Sequence, residues 1–289
     1  MRQANRFSGA GAPYAGLTTL RRGRVDWTGV VRTAPDQLDA PLRWRRGSRV
    51  FVNSMSDLFH ESLSNEDIAA VFAVMCACPK HTFQVLTKRP RRMRDWFRWL
   101  EEDPIEHLYQ ARKVDWHWPD EEPAWPLSNV HVGVSVENQE QLERRVHYLA
   151  TIDAAVKFVS AEPLLERVDF AGQLHSVDWM IVGGESGAGA RPFDITWARE
   201  IAQECKAANV PCFIKQLGRY PLAREAGANG KRRAHRGEAD KPRGEWPRGT
   251  QFGNPTGDES LNGRVALLDD PKGGRIAEWP RDLRVRQYP

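Results

Sequence analysis

The chain is poor in cysteine where a metal-binding protein would need it. Of four cysteines in 289 residues, none precedes Cys76. Cys76 and Cys78 form a C-x-C within a segment of helical periodicity. Two positions apart on a helix, side chains point roughly 200° from each other, so the pair cannot close on one ion. With Cys205 and Cys212 they read as small buried apolar residues. No disulfide framework and no metal site is expected. The histidines show no H-x-H or H-x-x-x-H pair, which removes the usual metal-hydrolase signature. G-K-[ST] is missing, so there is no Walker loop, and no early G-x-G-x-x-G marks a dinucleotide fold. No run approaches ~18 apolar residues, and residues 1–11 hold no apolar stretch of signal-peptide kind. The expectation is a cytoplasmic protein with no membrane partner.

Charge is modest in sum and uneven in place. The net charge is +4, with hydrophobic residues at 40% and charged residues at 28%, an ordinary soluble composition. Residues 1–50 carry ten Lys/Arg against three Asp/Glu, 101–128 two against eight, and 219–248 nine against four. The basic ends suit an anionic partner such as nucleic acid, through 219–248 and its "KRRAHR" at 231–236. A solvated surface is the plainer reading of each run.

Six short apolar segments read as strands: residues 49–54, 82–87, 130–135, 156–162, 179–185 and 212–216. Several are nearly continuous hydrophobic runs, as strands buried on both faces of a parallel sheet are. Helical patterns separate them. "SNED" at 64–67 is a capping box ahead of Ile68, Val71, Phe72 and Met75 on one face. Met93, Trp96, Phe97 and Leu100 repeat the spacing, Leu142, Val146 and Leu149 do so more sparsely, and Thr196 can cap a helix ending near Asn209. Strand alternating with helix implies parallel strands and right-handed crossovers. The fold class is α/β, a parallel (β/α) barrel or partial barrel over 1–218, with a doubly wound sheet as the alternative. Residues 101–128 read as a polar, tryptophan-bearing insertion. Residues 219–289 read as an irregular basic extension whose "EWPRDLRVRQYP" docks on the body.

In such folds function gathers at the carboxyl ends of the strands. There the chain places Asn53 and Asp57, then Lys88 and Arg89, then Ser135 and Glu137. Ser160 and Glu162 follow, then Gly183, Gly184 and Glu185, and last Lys215. Asn53, Asp57, Lys88, Arg89 and Lys215 are the candidate substrate contacts. Ser135, Glu137, Glu162, Gly183, Gly184 and Glu185 are the candidate cofactor contacts. "GESG" is one residue short of a nucleophile elbow, so Ser186 is not read as a nucleophile. The loop "VGGESGAGARP" poses a puzzle. It is glycine-rich like a phosphate cradle, yet Glu185 would repel a phosphate. A carboxylate among glycines suits an ammonium or another polar group; the plainer reading is a turn with Glu185 in water.

The blocks "RVFVNSMSDLFHE", "HTFQVLTKRPRRM", "NVHVGVSVENQ", "VKFVSAEPLL", "DWMIVGGESGAGARP" and "FIKQLG" resemble, in order from about residue 14 to 218, those of the phage gp thirty-seven/sixty-eight family. That group carries a three-cysteine motif and is similar to radical SAM enzymes. The resemblance implies a radical SAM-like barrel with S-adenosylmethionine and a [4Fe–4S] cluster as cofactors. Three thiolates would hold the cluster and leave one iron for the methionine group. It implies also that "GGES" resembles the segment that meets the cofactor's amino group. The motif's cysteines are missing here, and "MRQANRFSGAGAPYAGL" resembles the stretch that follows them. The expectation is therefore that Met1 is an internal methionine, that the first barrel unit is lacking, and that the chain as written is inactive for cluster chemistry. A nucleic-acid- or partner-binding scaffold is the alternative, and a degenerate copy the third reading. The substrate is unknown in all three.

Overall fold

The computed structural model describes residues 2–9, 11–12, 14–114, 123–187, 189–222, 246–247, 250–253 and 265–289. The chain divides into two compact units, one of residues 1–132 with 152–155, the other of 133–151 with 156–289.

The first unit opens with a short helix α1 (Arg2–Arg6) and an antiparallel hairpin, β1 (Thr18–Arg21) and β2 (Arg24–Trp27). The sequence reading placed no strand before Arg49, so the hairpin corrects it. Its strands are only four residues long, and its turn lacks the Asn-Gly or Asp-Gly that announces a hairpin. Strand β3 (Arg49–Val52) follows, then α2 (Asn65–Cys76), β4 (Thr82–Thr87), α3 (Pro90–Leu100) and α4 (Pro104–Ala111). The capping box forms as read. Ser64 Oγ accepts from the Asp67 N–H at 3.0 Å, and the Asp67 carboxylate accepts from the Ser64 N–H at 3.4 Å. Met93, Trp96, Phe97 and Leu100 of α3 are all buried. The Trp96 ring lies 4.4 Å from Phe72 and 5.1 Å from Phe97 between centroids, and its indole N–H donates to Asn65 O at 3.1 Å. Trp96 is thus core in the α2–α3 packing, as a helix face of that spacing requires. Helix α4 lies inside the stretch read as a polar insertion. Asp103 caps it, Pro104 opens it, and Leu108 is buried where it packs against α2. Residues 115–122 of that insertion lie outside the described residues.

Strand β5 (Val130–Ser135) is followed in the second unit by α5 (Gln139–Ala150), β6 (Val156–Ala161), β7 (Trp179–Gly183), β8 (Phe193–Asp194), α6 (Ile195–Ala207) and β9 (Cys212–Gln216). All six strands read from the sequence are therefore present. Their order in the sheet is β3-β4-β5-β6-β7-β9, with β3/β4, β6/β7 and β7/β9 parallel. A doubly wound sheet reverses its order at a switch point; this one never reverses. The chain is a mixed α/β protein with the singly wound order of a partial barrel. Val159, Ala161, Met180, Val182 and Ile214 are buried on the face where α5 packs on β6, and α6 on β7 and β9.

Two details differ from expectation. Asp194, one step before the helix, caps α6: its carboxylate accepts from the Thr196 N–H at 3.1 Å and from Thr196 Oγ1 at 2.7 Å. Thr196 is the capped residue instead of the cap. The C-terminal layer also holds regular structure. β10 (Pro221–Leu222), β11 (Gln251–Gly253) and β12 (Val265–Leu267) join β8 in the order β11-β12-β10-β8. Strands of two or three residues leave no periodicity to read.

The chain's last residues lie antiparallel along β9. Ile214 N–H donates to Val285 O at 2.9 Å and Gln287 N–H to Cys212 O at 2.8 Å. Trp279 and Leu283 are fully buried, and the Trp179 indole N–H donates to Gln287 O at 2.9 Å. An outer strand left bare would be a template for foreign pairing; here the tail satisfies it.

Candidate functional site

Alternation sorts the side chains of the second unit's strands onto two faces. A Cβ on Gly133 would run into the Phe158 ring at 2.6 Å, so positions 133 and 158 share a face. Phe158 registers with Trp179 and Ile181 with Phe213. The Phe158–Trp179 and Trp179–Phe213 centroids lie 5.7 and 6.2 Å apart. Tyr288 of the tail joins them, 5.1 Å from Phe213. Counting on by twos, the same face carries Ser135, Ser160, Glu162, Gly183 and Lys215 at the carboxyl ends. Aromatic rings thus line one half of this face and polar groups the other.

The polar half is organised by ion pairs. Lys215 Nζ donates to Glu162 Oε2 at 2.9 Å, with the lysine side chain 54% exposed and the carboxylate 18%. A Cβ on Gly183 would touch the Glu162 side chain at 3.3 Å, so the glycine leaves that carboxylate its room. Ser135 and Ser160 are buried beneath. Glu137 is held by Arg145 of α5, whose guanidinium donates to its Oε2 at 2.9 Å and to Ser135 O at 2.7 Å. Both side chains of this pair are nearly buried, 11% and 13% exposed.

The glycine-rich loop supplies its own cation. Glu185 takes a two-pronged contact from Arg191, Nε to Oε2 at 2.8 Å and Nη2 to Oε1 at 3.2 Å, plus the Arg191 N–H at 3.0 Å. The hydrogen bonds from Arg191 hold the Glu185 carboxyl below its ordinary value. A depressed carboxyl contributes stability above its unfolded value, and that contribution is lost as pH falls through the folded one. Arg191→Gln is therefore expected to move the Glu185 titration upward, toward 4.5. A carbon-detected NMR titration of the two proteins reads it, and an unmoved midpoint would refute the pairing.

Gly187 and Gly189 give this loop its left-handed turns, φ 97° and 78°, whereas Gly184 serves close approach. A Cβ on Gly184 would lie 2.6 Å from Leu217 O, and one on Gly218, at φ +77°, 2.7 Å from Glu185 O. Gly273 closes the group, its carbonyl accepting from Leu217 N–H at 2.9 Å.

In the first unit, Asp57 and Arg89 of the residues read as substrate contacts meet in a second cluster that Lys88 joins through its backbone N–H, while Lys215 lies in the second unit. Asp57 accepts from the Phe59 N–H at 3.0 Å, Thr87 Oγ1 at 2.7 Å, the Lys88 N–H at 3.0 Å and Arg89 Nη1 at 3.1 Å. Arg89 also donates to Glu61 at 2.8 Å. Every lone-pair direction of Asp57 is thus used within the chain, and it ties the loop after β3 to the loop after β4. Asn53 ends β3 in the left-handed region, φ 63°, which asparagine tolerates. Lys88 is exposed.

The sequence reading missed two of the cations. Arg145 had a signal: it lies three residues after Leu142 and four before Leu149, on the buried side of α5, where an arginine demands a partner. Arg191 had none beyond its nearness to Glu185.

The cysteines were tested as cluster ligands by their surroundings. All four are buried. Burial pushes the Cys76 thiol up to about 11 and the Cys78 thiol up as well. A hydrogen bond to Cys212, with burial, raises Cys205. A [4Fe–4S] cluster needs three thiolates brought together, and no three ligands are so placed among the described residues, so these cysteines do not fit it. Among the described residues, no group of three or more His, Cys, Asp or Glu is placed to hold a metal, and no helix is long and apolar enough to cross a membrane.

No curated protein and no solved structure matches the chain. A family model does: it matches residues 1–248, and the chain belongs to that family, the proteins of unknown function DUF5131.

Proposed function

We propose that the second unit binds a zwitterionic small molecule at the carboxyl ends of β6, β7 and β9, on a scaffold related to the radical SAM-like phage group that the sequence resembles. The observation that carries this is the Glu162–Lys215 pair, 2.9 Å apart, its carboxylate seated against Gly183 and its lysine exposed. An α-amino acid head group presents an ammonium and a carboxylate together. It can exchange into such a pair, its ammonium on Glu162 and its carboxylate on Lys215, so neither protein charge is left unmatched. Ser135 and Ser160 add hydroxyls on the same face, and the partly exposed Phe213 ring offers an apolar contact to the remainder of the ligand. S-adenosylmethionine carries such a head group and is the ligand the resemblance implies. When bound it would supply a reactive sulfonium; the chain's residues bind and orient it. Since the cysteines described here do not fit a cluster, no radical step is drawn for this chain.

Glu162→Gln and Lys215→Met are each expected to weaken S-adenosylmethionine binding about tenfold or more, the size of a lost charge-assisted hydrogen bond. Calorimetry on the three proteins measures it. Failure of the wild-type chain to bind at about 1 mM, or variants that bind as well as wild type, would overturn the reading. The alternative, nucleic-acid binding through residues 219–248, falls almost wholly outside the described residues, as does "KRRAHR" at 231–236.

A further inference from the structure

The β1–β2 hairpin makes two choices that work against its own stability. Arg21 and Arg24 are directly opposed across the ladder, and like charges in that position repel. The two residues between them, Arg22 and Gly23, both have positive φ, 49° and 76°. That is a primed two-residue turn, where glycine, asparagine and aspartate lead because a larger side chain crowds the left-handed backbone. Arginine at Arg22 brings the turn no benefit. All three arginines are exposed, and their side chains make no ion pair or hydrogen bond among the described residues. The nearest acid in the hairpin, Asp26, accepts from the Trp27 N–H at 2.8 Å. Each choice, taken alone, is a local cost; together they gather three guanidinium groups at one tip.

The other face of the ribbon is apolar. Leu20 is 67% exposed and Trp27 38%, with the Tyr14 ring 6.4 Å from Trp27. In the same unit, exposed Arg45 and Arg46 follow Trp44, itself 40% exposed. Basic side chains interleaved with exposed aromatics are the footprint of a nucleic-acid surface.

We infer that the β1–β2 hairpin is a finger that binds double-stranded nucleic acid, with Arg21, Arg22 and Arg24 on the phosphates. A guanidinium fork meets phosphate oxygens two at a time. A two-stranded ribbon fits a major groove about 12 Å wide. An anionic bilayer would also attract the arginines. Yet alternation puts the charges at the tip and on one face, with Leu20 and Trp27 behind them, so insertion would drive the charges in first. An anionic partner also offsets one of these costs, because phosphate charge screens the Arg21–Arg24 repulsion.

Fluorescence anisotropy with a labelled duplex of about 20 base pairs, at salt from about 50 to 200 mM, tests the inference. Wild type is expected to bind with a steep salt dependence. Arg22→Gly suits the turn's backbone, so it should unfold no more easily than wild type while binding several-fold more weakly. In Arg21→Gln/Arg22→Gly/Arg24→Gln the slope of log affinity against log salt should fall by about 2 to 3, since each phosphate contact contributes roughly 0.9. No salt-sensitive duplex binding, or a wild-type slope in the triple variant, overturns the inference. So does hairpin-dependent binding to phosphatidylserine vesicles without duplex binding. Loss of all binding in Lys231→Gln/Arg232→Gln/Arg233→Gln, with none lost in the hairpin variants, would place the interface elsewhere. The finger and the Glu162–Lys215 site lie in different units, so either can fail alone.

Discussion

Arg145→Met is expected to destabilise the second unit by about 3 kcal/mol, the low end for a broken buried ion pair. Arg145 and Glu137 are both nearly buried, and the same guanidinium also satisfies the Ser135 carbonyl. Removing it leaves a carboxylate and a carbonyl in a place water does not easily reach. Methionine keeps much of the volume and flexibility of arginine, so the loss reports charge and hydrogen bonding more than packing. Arg191 moderates the effect, because its charge also interacts with Glu137. The companion variant Glu137→Leu/Arg145→Met removes both charges and should recover most of the loss, since an apolar pair of similar volume is often neutral. Urea midpoints of wild type, single and double variants measure this. A single variant as stable as wild type would mean the pair is solvated and the strand end is not fixed by it.

Removing residues 279–289 should have the larger effect. It strips two fully buried side chains, Trp279 and Leu283. Truncating one large buried residue costs about 2–5 kcal/mol, so the sum rivals the whole stability of an ordinary domain, about 5–15 kcal/mol. It also bares the backbone of β9, whose Ile214 N–H and Cys212 carbonyl are paired with the tail. The shortened chain is expected to aggregate on expression, and Leu283→Ala in the full chain to lower the urea midpoint without aggregation. A soluble, monomeric shortened chain with the wild-type midpoint, seen by size-exclusion chromatography and denaturation, would show that the tail is only laid against the surface.

The central strands β5, β6 and β7 were legible because they are largely buried on both faces and read as nearly unbroken apolar runs; β3, β4 and β9 were legible from short segments rich in Val, Ile and Phe. The capping box at Ser64 and the α3 face were legible for the same kind of reason: local spacing alone decides them. What escaped was short or tertiary. β1 and β2 have four residues each and an arginine turn, so neither period nor turn chemistry announced them. Asp194 and Thr196 are both good caps two residues apart, and only the geometry chooses. Helix α4 carries just Leu108 as its buried residue, too little for a periodic signal. At the strand ends the carboxylates Glu137, Glu162 and Glu185 could be named from sequence. Which cation each one meets could not, except that Arg145 sits on a buried helix face and must meet something. The loop at 182–192 shows why this matters. Its glutamate does sit against a cation, and the cation is Arg191, six residues further along the same loop.

Gly184, Gly218 and Gly273 come from three distant parts of the chain and meet backbone to backbone. The crossing works like a rivet through three plates: it fixes their separation to less than the width of a methyl group. A shift in the loop after β7 must therefore be felt at the end of β9 and in the segment that leads to the tail. If a ligand opens the Glu162–Lys215 pair, the hydrogen exchange of residues 270–289 should change with it. Relatives that lengthen any of the three segments would have to do so away from this rivet, and those that place a side chain there must have pulled it apart.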